Sequence, residues 1–93
     1  MILFFTALLS GQSSDEIREA EVAGMFYPGS SGQLSKMIDG YLAETQKVVQ
    51  GEILGLVSPH AGYIYSGPVA AWSYNQVEGS HYDVVVVIAP SHF

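Results

Sequence analysis

The run Val84-Val85-Val86-Val87-Ile88-Ala89 restricts the folds open to this chain more than any other stretch. Branching at Cβ costs these residues χ1 freedom in a helix, whereas it packs well on a pleated surface. A second apolar run, Ile53-Leu54-Gly55-Leu56-Val57, lies upstream. Neither run alternates apolar with polar residues. Each is therefore expected to be a strand covered on both faces, as in a parallel sheet. Between them, Pro68 to Val77 reads as a helix, with Pro68 in the first turn, where a missing amide hydrogen costs nothing. Ala70, Ala71 and Trp72 suit close packing on a sheet, and Gly79 marks the exit. Strand, helix, strand predicts a right-handed parallel crossover. The expected fold class is α/β, the N-terminal βαβ portion of a parallel or mixed sheet.

Upstream, Val22 to Ser30 reads as an extended segment carrying Phe26 and Tyr27 and closed by the turn pair Pro28-Gly29. Pro28 biases Tyr27 away from the helical region. Ser30-Ser31-Gly32-Gln33 matches a capping box. Leu34, Met37, Ile38, Tyr41 and Leu42 then recur with helical period, which places them on one face of an amphipathic helix. Gly40 costs that helix about 1 kcal/mol relative to Ala, so it needs tertiary support. Asp15 to Glu21 is short and acidic.

Met1 to Leu9 is apolar and is followed by Ser10-Gly11-Gln12-Ser13-Ser14, a pattern resembling the core of a secretory signal. No Lys or Arg precedes it and no Ala-x-Ala follows. Residues 1–14 are read as an apolar leader and residues 15–93 as the folding unit. A cytoplasmic location is favoured, and export would require residues 1–11 to act as a signal peptide.

A length of 93 residues suits one small domain. With 48% hydrophobic and 13% charged residues, the composition suits strands buried on both faces. The formal charge is −6, and the cations Arg18, Lys36 and Lys47 do not cluster, which excludes a nucleic-acid surface. Without cysteine, neither a disulfide nor a thiolate metal site can form within these residues. No window reaches the roughly 18 apolar residues of a spanning helix. Two strands and one helix leave sheet edges uncovered. The chain is accordingly expected to be an N-terminal part of a larger domain, with a self-associating small protein as the alternative.

The crossover has a functional consequence. Open α/β sheets bind ligands beyond the carboxyl ends of their strands. His60 and His92 each stand just past such an end, and adjacent strands lie about 4.8 Å apart. Imidazole binds borderline metals through one ring nitrogen while an acceptor holds the other. The pair is thus a candidate half of a metal site, against a surface or packing role for each. His81, on the approach to the second run, reads as a surface residue. Gly62 and Gly67 suit a sharp turn and a close backbone approach, against ordinary loop punctuation. Tyr63 and Tyr65 are candidate hydrogen-bond or acid–base groups, and only one should face the cleft if the segment is extended. Ser66 reads as a helix cap ahead of Pro68. Ser91 and His92 could compose a nucleophile and base, but no G-x-S-x-G elbow surrounds either serine.

The block Pro59-His60-Ala61-Gly62-Tyr63-Ile64-Tyr65-Ser66-Gly67, then Ala70-Ala71, then Pro90-Ser91-His92, resembles the Memo family. Its prokaryotic members are called AmmeMemoRadiSam system protein B. Val22-Ala23-Gly24-Met25-Phe26-Tyr27-Pro28 is similar to the family's N-terminal signature, with Arg18 at its start. Ala20 and Ala89 depart from the family's usual proline and glycine.

The resemblance implies a fold like that of class III extradiol dioxygenases, with His60 and His92 as two ligands of Fe(II) or Cu. A third ligand would come from beyond this chain. Pro59, Gly62, Gly67 and Ser91 would shape the pocket. If the protein is an enzyme, the implied activity is a non-haem, metal-dependent oxidoreduction of dioxygenase type. Two alternatives are a non-catalytic metal- or phosphopeptide-binding module of the same fold and an inactive truncated fragment. The implied partners are a metal ion, a small molecule or peptide, and a functionally linked radical-SAM protein. Likeness of fold does not choose among these functions.

Overall fold

The computed structural model of the chain describes Ile17 and residues 19–91. The leader, Arg18 and His92 lie outside the described residues. Two helices organise the rest: α1, Ser31–Ala43, and α2, Tyr63–Val77.

α1 follows its local signals. Ser30 is the N-cap, and its Oγ accepts from the Gln33 amide at 3.5 Å. The predicted stripe Leu34, Met37, Ile38, Tyr41 and Leu42 is half-buried, whereas Ser35, Lys36, Asp39 and Glu44 are exposed. Thr45 closes the helix by donating its amide (3.0 Å) and its hydroxyl (2.6 Å) to the Leu42 carbonyl.

α2 departs from expectation. It begins at Tyr63, so Pro68 lies inside the helix and not in its first turn. The earlier start is supported from outside the helix. The Tyr63 amide donates to the Phe26 carbonyl at 2.7 Å, and the amides of Tyr65 and Ser66 donate to the Gly62 carbonyl at 2.9 and 3.1 Å. The Tyr63 amide, which a helix N-terminus normally leaves orphaned, is thereby satisfied, which supports a start ahead of Pro68. Gly62 is the N-cap, and no side chain caps the helix, so Ser66 is not the cap that Pro68 suggested. Gly79, at φ +76°, follows the helix end as expected.

The expected extended segment at Val22 to Ser30 is also different. Residues 22–27 turn back on themselves, with the amides of Met25 and Phe26 donating to the Val22 carbonyl at 3.1 and 3.0 Å. The Gly24 amide donates to the Tyr27 carbonyl at 2.7 Å. Gly24 sits at φ +81°, a conformation that glycine adopts without steric penalty. This fold-back points the Phe26 carbonyl at the first residue of α2.

The two helices pack against each other, with Tyr41 of α1 close to Gly67 of α2, and Ile38, Leu42, Ala70 and Ala71 line the groove between them. Gly67 permits the contact. A Cβ added there would overlap the ring of Tyr41. Ala71 is buried in this seam.

Among the described residues no strand ladder forms, and the single bridge joins Ala23 to Tyr27. The two apolar runs are open to solvent, with Leu54 89%, Val57 96% and Ile88 92% exposed. They are nonetheless tethered. The Ser73 hydroxyl donates to the Val57 carbonyl at 3.2 Å, and the Tyr82 hydroxyl donates to the Ile53 carbonyl at 3.1 Å.

Candidate functional site

The loop between the first apolar run and α2 lies beside a groove of about 240 Å³ between the helices. Pro59, His60 and Ala61 border this groove from the loop, Tyr41 from α1, and Tyr63 and Tyr74 from α2. His60 is exposed on the rim. Ala61 is held by Ser66, whose Oγ accepts from the Ala61 amide at 3.0 Å and donates to the Ala61 carbonyl at 3.0 Å. Ser66 is only 9% exposed.

Of the two candidate tyrosines, Tyr63 lines the groove, whereas Tyr65 is 78% exposed and does not border it. The cause is helical geometry and not the alternation of an extended segment. Residues two apart on a helix are separated by about 200°. The Tyr63 ring lies 5.2 Å from that of Tyr27, tilted by 43°. Burial raises the Tyr63 pKa, and the phenols of Tyr27 and Tyr74 raise it further. Tyr63 is therefore a protonated hydrogen-bond donor at neutral pH.

The two glycines do other work than expected. Gly62 is buried in an ordinary negative-φ conformation, and an added Cβ would meet Tyr65 at 3.5 Å and Phe26 at 3.6 Å. Gly67 belongs to the helix and admits the Tyr41 ring. Tyr41 was expected to be a core residue, and Tyr74 carried no site expectation. Both border the groove. The signal for Tyr74 was present: Tyr63, Gly67, Ala70, Ala71 and Tyr74 share one helical face once the helix starts at Tyr63.

Ser91 is exposed at the end of the described residues, and His81 is exposed on the approach to the second run. Ser58 Oγ is buried without a hydrogen-bond partner, two residues before His60. The chemistry of His60 fits one ligand of a borderline metal. The described residues gather no group of three or more His, Cys, Asp or Glu side chains that could hold an ion. They therefore contribute at most part of a donor set, and His92 stands outside them. No helix among them is long and apolar enough to cross a membrane.

The loop carries one exposed imidazole and is held against α2 beside a groove bordered by Tyr41, Tyr63 and Tyr74. The family model described as Memo-like protein matches residues 18–93. A MEMO1 family protein of Nitrosopumilus maritimus is 39% identical over 82 residues, covering 83% of this chain and 30% of its own length. One from Pyrobaculum arsenaticum is 41% identical over 85 residues, again covering 83% of this chain and 30% of its own length. Protein MEMO1 of Danio rerio is 40% identical over 75 residues, covering 81% of this chain and 25% of its own length. The chain belongs to the Memo-like protein family. It spans about 30% of the length of the first curated relatives it matches. No solved structure matches it.

Proposed function

We propose that the chain supplies the βαβ portion of a metal-binding Memo-like protein of the AmmeMemoRadiSam system protein B type, with His60 and His92 as two ligands of Fe(II) or Cu. The observation that carries this reading is the tether between the runs. Tyr82, just before the second run, bonds the carbonyl of Ile53 at the start of the first. Two runs brought together at their starts and continuing in the same direction would deliver His60 and His92 to one sheet edge. The proposed sheet resembles that of class III extradiol dioxygenases.

A bound metal of this kind would supply redox chemistry, with open positions for substrate and oxygen. The chain's own residues have separable roles. His60 binds, the protonated Tyr63 donates a hydrogen bond into the groove, and Gly67, Ala70 and Ala71 give the groove an apolar floor that accepts a small molecule or a peptide side chain. A functional link to a radical-SAM protein goes with this type.

Calorimetric titration of the protein with Fe(II) and with Cu(II) tests the site. Loss of one imidazole ligand by His60→Ala or His92→Ala should weaken binding by more than the roughly 10- to 100-fold that loss of an outer-shell partner costs. Unchanged affinity in both variants would sink the assignment. Oxygen uptake by the iron-loaded protein with a panel of catechols separates an oxidoreductase from a non-catalytic binding module. Turnover abolished by His60→Ala supports the enzyme. Tight metal binding without uptake supports the module.

A further inference from the structure

We infer that Ser66 is a positioning residue for His60: its hydroxyl, reaching out of the first turn of α2, grips both polar groups of the adjoining Ala61. A helical serine that turns inward usually bonds the carbonyl four residues back. Here that carbonyl belongs to Gly62 and lies at 3.5 Å, the longest of the three contacts. The two at 3.0 Å go to Ala61, which is outside the helix. Holding the amide and the carbonyl of one residue together restricts rotation on both sides of its Cα. The peptide plane shared with His60 is then fixed relative to α2, and with it the direction in which the imidazole leaves the loop. Ser66 is buried, which shields its end of these part-buried bonds from water.

Ser66, Ser73 and Gln76 of α2 each hold main chain within residues 46–61. Ser73 bonds the Val57 carbonyl. Gln76 uses both ends of its amide: Oε1 accepts from Val48 and Val49 at 2.8 and 3.1 Å, and Nε2 donates to the Gln46 carbonyl at 2.9 Å. α2 thus guides its own preceding segment at both ends and once between. Of the three grips, only that of Ser66 adjoins the histidine.

This inference rests on His60 being a ligand, and the test separates the two. In the full 93-residue chain, Ser66→Ala should speed hydrogen exchange of the Ala61 amide by about 5-fold, as expected for losing a hydrogen bond worth about 1 kcal/mol. The α2 amides should keep their protection. Ser66→Thr, which retains the hydroxyl, should restore the parent rate, and Gln76→Ala, at the far end of the helix, should leave Ala61 unaffected. In a form of the protein spanning the length of its relatives, Ser66→Ala should weaken Fe(II) or Cu(II) binding by about 10-fold, the low end for loss of an outer-shell partner, and Ser66→Thr should recover it. Unchanged Ala61 exchange overturns the inference. Faster exchange with parent-like metal affinity, where His60→Ala abolishes binding, also overturns it, because Ser66 would then be purely structural. If a form of the protein spanning the length of its relatives binds neither metal, the ligand reading of His60 fails. The positioning claim is then decided by whether backbone order at His60, measured by NMR relaxation, falls in Ser66→Ala and returns in Ser66→Thr.

Discussion

The loop 58–62 and the run 84–90 look alike in sequence and differ in the structure. Each is or follows an apolar stretch, and each leads through proline to a histidine. The first is held by α2, through Ser66 to Ala61 and Ser73 to Val57, and through the Tyr63 amide to the Phe26 carbonyl. The second is reached by Tyr82 at its approach, and its valines stand largely in solvent. A helix directly following a loop can satisfy the loop's polar groups with its own first-turn side chains. A strand satisfies its polar groups through a neighbouring strand, and no ladder supplies one among the described residues. Apolar pattern alone therefore does not place a segment.

The largest expected effect comes from filling the seam that keeps the first region in place. Gly67→Ala sets a methyl against the Tyr41 ring, and overpacking of this kind costs about 1–3 kcal/mol, less the up to about 1 kcal/mol that alanine gains over glycine inside a helix. Urea unfolding followed by circular dichroism should show that loss, and pairing the change with Tyr41→Leu should recover part of it. Full retention of stability in Gly67→Ala would mean that α1 does not press on α2, and the contrast between the regions would weaken.

A smaller effect is expected in the second region. Tyr82→Phe removes one exposed hydrogen bond to Ile53, worth about 0.5 kcal/mol. Amide exchange should rise at residues 82–86 and stay unchanged at Ala61. A matching rise at Ala61 would show that the two regions share one support.

The smallest expected effect is a dependence on alkaline pH confined to the first region. Tyr63 has its pKa raised by burial and by Tyr27 and Tyr74. Above pH ~10 the unfolded chain therefore releases this proton more readily than the folded one, and folding stability falls as pH rises. The contribution is fully present below the unfolded pKa and is lost as pH passes the folded one. Tyr63→Phe should flatten that limb of the stability curve, as followed by thermal melts between neutral pH and pH ~11. A limb left unchanged would assign the alkaline loss to another group.

α1 was legible in the sequence because its determinants lie within one or two turns of each other. Ser30 caps Gln33, and the apolar stripe repeats at helical spacing. The exit of α2 at Gly79 was legible for the same reason. The ordered blocks around His60 were specific enough to indicate the family that the comparisons show. The start of α2 was not legible. It depends on a carbonyl at Phe26 that arrives only because residues 22–27 fold back around Gly24. With the helix starting at Tyr63, Pro68 lies inside it, Tyr63 lines the groove while Tyr65 does not, and Ser66 bonds Ala61 and does not cap. Sequence by itself thus determined α1, the family and the candidate histidines. Tertiary structure alone decided which groups stand at the groove, because orphan amides at a helix start bond whichever carbonyl the rest of the chain brings to them.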